Sequence, residues 1–157
     1  MASVILQCFS LGLGKLDELP LLDVPTAEAL RDGKKKLFEL GALEEDRLTK
    51  LGKQLGRLPC DPRVGRMLIE ADQRNCLSEV VIIAAAIECQ DVRQRPAGKR
   101  PQADEAHAEF TDPHSDFLSY LRLWKFYENL RSQLGRSRLQ RALQQKFLSY
   151  QSFREWS

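Results

Sequence analysis

Leu40-Gly41-Ala42-Leu43-Glu44-Glu45-Asp46-Arg47-Leu48-Thr49-Lys50-Leu51-Gly52 is the stretch on which the fold turns. Two short apolar pieces flank three consecutive acids, which suggests a small β-hairpin. The residues before the hairpin read as helix. Thr26 is the expected N-cap, Leu30, Leu37 and Leu40 mark the inner face, and Gly41 closes the element. The residues after it read as a third helix, capped by Thr49 and carrying Leu51, Leu55 and Leu58 at i, i+4 and i+7. At the start, Val4, Ile5, Cys8, Phe9 and Leu11 form another helical face that ends at Gly12 and Gly14. Helices followed by a hairpin form a winged-helix-like unit, placed at residues 1–59. Gly52 and Gly56 each weaken the third helix by about 1 kcal/mol relative to Ala, which implies close packing against a neighbour.

The second half, residues 60–157, reads as helical throughout. Asp61-Pro62 combines an N-cap with proline at the first helical position, and Val64, Met67, Leu68 and Ala71 form the stripe that helix should bury. Leu77 to Cys89 is apolar all round, so a central buried helix is expected there. Its Val and Ile residues would also suit a strand, but its length and the Ala84-Ala85-Ala86 run favour helix. Pro96, Gly98 and Pro101 mark a loop before a short acidic helix. After Thr111-Asp112-Pro113 a long helix is expected from about Ser115 to Ser132.

Composition is ordinary for a globular chain, 43% hydrophobic and 29% charged with a formal net charge of +2. The longest apolar run, Val80 to Ile87, is far short of the roughly 20 residues that a membrane helix needs. No signal-peptide pattern opens the chain, and Cys8, Cys60, Cys76 and Cys89 are scattered in apolar settings. They read as buried free thiols, so a reducing, cytoplasmic setting is expected. Charge is uneven. Asp104, Glu105, Glu109, Asp112 and Asp116 share a stretch without Lys or Arg, whereas beyond Phe117 only Glu128 and Glu155 oppose many cations. Arg93, Arg95, Lys99 and Arg100 form a further basic cluster. Such a field can serve a polyanion or be a solvated face.

Two motifs invite chemistry that their context denies. Asp104-Glu105-Ala106-His107 spells an ATPase box, but Arg100-Pro101-Gln102-Ala103 before it cannot be the buried strand that box requires. Gly12-Leu13-Gly14-Lys15 lacks both the spacing and the hydroxyl of a phosphate loop. His107 and His114 lie near Asp112 and Asp116 without metal-ligand spacing, so they read as surface residues or caps and no metal is expected. The long helix carries more information. Phe117, Tyr120, Leu121, Trp124 and Tyr127 share one side, while Ser119, Arg122, Lys125, Asn129 and Ser132 recur along another. The polar side fits a wall for a single-stranded backbone, and equally a solvated face of a core helix.

Taken in order, these pieces resemble the helicase-associated region of DEAH-box RNA helicases, in particular the bacterial HrpA type. Leu40-Gly41-Ala42-Leu43 with Leu48-Thr49-Lys50-Leu51-Gly52 resembles the family's wing, and Leu58-Pro59-Cys60-Asp61-Pro62-Arg63 resembles the opening of its ratchet domain. Asp91, Arg93, Arg95 and Pro96 resemble the basic loop before the long ratchet helix, which Asp116-Phe117-Leu118 with Leu121 and Trp124 resembles in turn. Lys146-Phe147-Leu148-Ser149-Tyr150 with Arg154-Glu155-Trp156 resembles the helix before the family's OB-fold. Phe117 stands where eukaryotic relatives tend to have histidine, which fits a bacterial subtype.

The resemblance implies a mainly α fold, a winged-helix domain with a small hairpin at residues 1–59 followed by an all-helical ratchet bundle at 60–157. It also implies a non-catalytic accessory segment of an ATP-dependent helicase, cut from a longer chain, with no cofactor of its own. ATP and Mg²⁺ would belong to the RecA-like motor domains, which with an OB-fold and single-stranded RNA are the implied partners. RNA contact falls to Arg122, Lys125, Ser119 and Asn129, with Arg93, Arg95, Lys99 and Arg100 as further candidates. Two other classes stay open. Lys34-Lys35-Lys36 on the helix before the hairpin suits a stand-alone DNA-binding regulator, although Glu44-Glu45-Asp46 would repel phosphate at the wing tip. A pure protein-docking module is the third.

Overall fold

The computed structural model describes residues 1–14, 16 and 19–157. Lys15, and with it the last position of the phosphate-loop comparison, lies outside the described residues. The chain forms two compact units, Met1–Arg74 and Asn75–Ser157. The architecture is mainly α with one small two-stranded antiparallel sheet.

The first unit holds α1 (Ala2–Ser10), α2 (Ala27–Glu39), β1 (Leu43–Glu44), β2 (Arg47–Leu48), α3 (Lys50–Leu55) and α4 (Pro62–Gln73). Its local signals act as written in the sequence. Thr26 Oγ1 accepts from Ala29 N at 3.2 Å and starts α2. Gly41, at φ +72°, ends it: Gly41 N bonds to Phe38 O at 2.9 Å and Ala42 N to Leu37 O at 2.8 Å. That pair of bonds satisfies carbonyls a helix end otherwise leaves open. Leu43 faces Leu48 and Glu44 faces Arg47 across the hairpin. Glu45 and Asp46 both take positive φ, the conformation a two-residue primed turn demands of its centre.

Thr49 then fastens hairpin to helix. Its hydroxyl donates to Gly41 O at 2.6 Å and accepts from Gly52 N at 2.9 Å. Gly52 in α3 and Gly56 at its C-cap sit where a side chain has no room, at the Ala42 carbonyl for Gly52 and at the Ser10 hydroxyl for Gly56. α3 stops at Leu55, short of the expected Leu58, because Gly56 comes next and Pro59 drives the residue before it out of helical geometry. Asp61 Oδ1 accepts from Arg63 N at 2.9 Å and starts α4 at Pro62. Val64 and Ala71 are buried, Met67 and Leu68 only half-buried. Gly65 of α4 lies against Leu55 and Leu58, so this helix packs in the first unit. Ile5, Leu6, Cys8, Leu37, Leu43 and Leu55 supply the core.

The second unit holds α5 (Leu77–Glu88), α6 (Arg100–Ala108), α7 (Asp116–Gln133), α8 (Arg136–Gln145) and α9 (Tyr150–Trp156). Its core is aromatic. Tyr127 stacks on Phe153 with centroids 4.5 Å apart, Trp156 lies 5.5 Å from Phe153 and 5.3 Å from Trp124, and the Trp156 indole donates to Ile82 O at 2.8 Å. α5 departs from expectation. Only Ile83 and Ala84 are fully buried, and Leu77, Val81 and Ile87 stand exposed. Large rings from α7 and α9 fill the centre, so an all-apolar helix buries one side and leaves the other uncovered. Pro101, expected in the loop, lies in the first turn of α6, where its missing N–H costs nothing. Among the cysteines Cys8 is buried, whereas Cys60, Cys76 and Cys89 are half-buried instead of enclosed.

Candidate nucleic-acid interface

α7 runs as expected, and its core side is Leu123 and Tyr127 with Tyr120 and Trp124 half-buried beside them. Phe117, expected on that side, is exposed at the first turn. Arg122, Lys125 and Asn129 form an exposed stripe at i, i+3 and i+7, and Ser132 continues it with its hydroxyl donating to Asn129 O at 2.9 Å. Ser119 does not belong to this stripe. It is 3% exposed, and its hydroxyl accepts from Asp112 N at 2.8 Å and donates to Ser115 O at 3.3 Å. A small hydroxyl here satisfies loop backbone, which accounts for a polar residue turned inward.

Arg122 is anchored as well as exposed. One guanidinium nitrogen donates to Thr111 O at 2.8 Å and another to Asp112 Oδ2 at 2.6 Å. Ser119 and Arg122 thus hold the same loop, Asp112 from its amide and from its carboxylate. In the sequence Asp112 stood as one acid of a run without cations, as part of a helix break and as a neighbour of two histidines, but not as a partner of Arg122. The spacing of ten residues to Arg122 carries no helical or strand signature by which to pair them.

The basic loop divides in two. Arg93 binds Asp91 through two nitrogens, at 2.8 to 3.2 Å, and lies 5.8 Å over the Tyr120 ring. Burial pushes the Asp91 carboxyl up, but the hydrogen bonds and charge of Arg93 outweigh it and hold the group below its ordinary range. The bond to Asp91 in turn raises the Arg93 guanidinium against the opposing effect of burial. Arg95 binds Asp104 at 2.6 Å and lowers that carboxyl, chiefly through the hydrogen bond. Lys99 and Arg100 are exposed, and among the described residues neither they nor Lys125 has a carboxylate within ion-pair distance. Of the eight sequence candidates, four have side chains committed to internal bonds (Ser119, Arg122, Arg93 and Arg95), and Lys125, Asn129, Lys99 and Arg100 face solvent.

The remaining motifs have structural roles. Asp104-Glu105-Ala106-His107 lies inside α6, with Asp104 paired to Arg95. His107 is 3% exposed, a correction to its surface reading. With Ala103 one turn earlier it forms the inner side of α6, and its Nε2 meets Phe147 O at 3.1 Å. The His114 backbone N–H donates to Asp112 Oδ1 at 3.0 Å, so the carboxylate of Asp112, and not the imidazole, closes this turn. Among the described residues no group of three His, Cys, Asp or Glu side chains could hold a metal ion, and no helix is long and apolar enough to cross a membrane. On the regulator's helix, Lys34 is bound to Asp46 of the wing at 2.9 Å and Lys35 approaches Glu39 at 3.9 Å. The lysines nominated for a DNA groove are therefore partly neutralised by the chain itself.

Comparison with known proteins gives two family matches in succession. Residues 37–60 match the winged-helix part of the helicase associated domain (HA2), and residues 61–120 match its ratchet-like part. The chain is 40% identical, over 164 aligned positions and 99% of its length, to the ATP-dependent RNA helicase HrpA homolog of Haemophilus influenzae. It is also 40% identical, over 162 positions, to ATP-dependent RNA helicase HrpA of Escherichia coli. It spans only 13% and 12% of the lengths of those relatives.

Proposed function

This chain belongs to the helicase-associated (HA2) family and carries its winged-helix and ratchet-like domains, and on that premise we propose that it is a non-catalytic accessory segment of an ATP-dependent DEAH-box RNA helicase. In this reading the ratchet holds single-stranded RNA in a channel, and the winged helix transmits motor motion to it. ATP and Mg²⁺ bind in RecA-like motor domains of the longer protein, and this segment needs no cofactor. The motor domains and an OB-fold are its protein partners, and the setting is cytoplasmic without a membrane.

The observation that carries the reading is the exposed stripe of Arg122, Lys125 and Asn129 along α7, in a chain whose relatives are named RNA helicases. Lys125 is the side chain on it free to reach phosphate, Asn129 can bond a sugar hydroxyl, and Lys99 and Arg100 add open charge. Arg93, Arg95 and Ser119 hold loops and side chains in place and contribute indirectly. Few phosphates are engaged by one wall, so binding is weak and strongly salt-dependent.

The test is a fluorescence-anisotropy titration with labelled single-stranded RNA and with duplex DNA, at low and moderate salt. Salt-sensitive preference for the single strand, lost in Lys125→Glu, is the expected result. Tighter binding to duplex DNA would replace this reading with the regulator, and silence with both would leave the docking module.

A further inference from the structure

α8 has a solvent face that the α7 stripe does not use. Leu139 and Leu143 are its buried residues, so helical periodicity sends Arg138, Arg141 and Gln145 to the opposite side, where all three are exposed. No Asp or Glu occurs from Asn129 through Arg154. The flanking cations Arg131 and Lys146 find Glu128 at 3.1 Å and Glu109 at 2.6 Å. Arg136, Arg138 and Arg141 find no carboxylate among the described residues, and Arg136 instead lies 6.0 Å over the Tyr150 ring.

This arrangement works against the helix that carries it. The first turn of α8 holds arginine and no acid, and a helix N-terminus disfavours positive charge. Like charges at i and i+3 repel as well. A face that costs local stability and finds no carboxylate among the described residues points to an anion from outside.

We propose that Arg138 and Arg141 bind successive phosphates of single-stranded RNA and extend the path beyond Lys125. The choice of RNA rests on the proposed role of α7, while the anion site rests on α8 alone. Phosphate fits the side chains present: guanidinium forks bind it bidentately, and Ser137, Gln140, Gln144 and Gln145 offer neutral groups for sugar hydroxyls.

The experiment titrates the protein against fluorescein-labelled oligouridylate from about 50 to about 200 mM salt, comparing wild type, Arg138→Gln with Arg141→Gln, and Lys125→Gln. Loss of two phosphate contacts should weaken binding roughly tenfold at the lower salt and reduce the log–log salt slope by about 1.4. Arg138→Lys with Arg141→Lys should keep most of the slope, because the charges remain. Wild-type binding that is indifferent to the α8 glutamines overturns this site and leaves α7 standing. Loss with the α8 variant but none with Lys125→Gln supports this site and overturns the α7 assignment. No binding by wild type overturns both. A labelled polyglutamate peptide that binds as tightly as RNA would overturn the commitment to nucleic acid.

Discussion

Arg122 and Asp112 meet at 2.6 Å, the arginine half-exposed on α7 and the aspartate side chain only 9% exposed in the loop before it. A near-buried carboxylate thus has its counter-charge at the surface, on the residue most easily mistaken for a free RNA contact. The same guanidinium holds the Thr111 carbonyl at 2.8 Å. Arg122 is first a tether for the segment that leads into α7, and only its outer edge is open to a ligand.

Arg122→Ala should therefore destabilise the protein in the absence of any RNA. Charge-assisted bonds to a buried partner are worth about 1.5–3 kcal/mol each, and exposure of the arginine reduces this to roughly 1–2 kcal/mol in total. For a domain of this size, about 1 kcal/mol corresponds to a Tm shift of roughly 4–8 °C. Thermal melts followed by circular dichroism should show that loss, and Lys125→Ala should show almost none. Equal melting temperatures for the two variants would remove the tether.

Gly52→Ala should destabilise the first unit although alanine is the better helix former. Propensity favours the substitution by about 1 kcal/mol, but the added methyl lands on the Ala42 carbonyl, which is backbone and cannot rotate away. Overpacking of this kind costs about 1–3 kcal/mol, so the net effect is a loss in denaturant titration. Gly56→Ala meets a Ser10 hydroxyl that can turn, and should be milder.

The Asp91–Arg93 pair predicts a pH dependence whose sign is set by the lowered Asp91 carboxyl. The folded state holds this group ionised below its ordinary range of about 4, so the contribution is present above that pH and is lost as pH falls through the folded value. Asp91→Asn should flatten the fall of Tm as pH drops below about 4 relative to wild type. The pair is partly exposed, so the difference should stay under about 1 kcal/mol. An unchanged profile would mean that Arg93 supports the loop by packing on Tyr120 alone.

Trp156→Phe keeps a ring in the stack with Phe153 but removes the indole donor to Ile82 O. The Ile82 carbonyl lies inside α5 and keeps its helical donor, so the lost indole bond costs only about 0.5–1.5 kcal/mol, and the smaller ring adds a void. A loss of that size in urea titration, with the far-ultraviolet spectrum unchanged, is the expected outcome. A neutral result would show that the indole bond to Ile82 contributes nothing to stability.

The sequence by itself determined where the elements begin and end, wherever the deciding bond is local. Thr26, Thr49 and Asp61 cap helices through partners two or three residues away, and Gly41 ends α2 through a positive φ. Such contacts depend on backbone geometry that neighbours in the chain already share, so residue type at one position is enough to read them. The order of those signals also carried the family resemblance that the helicase-associated matches bear out.

Only the tertiary structure decided which polar side chains were spent. Ser119 turned inward, Arg95 closed on Asp104, Lys34 closed on Asp46, and His107 was enclosed against Phe147, forty positions away along the chain. Periodicity states that a residue lies on a given side of a helix, but what stands opposite depends on how loops return. The same limit explains α5, whose apolar composition foretold burial on every side while the aromatic core covered only one. A free charge and a paired one look identical in a sequence, and distance is what separates Lys125 from Arg122.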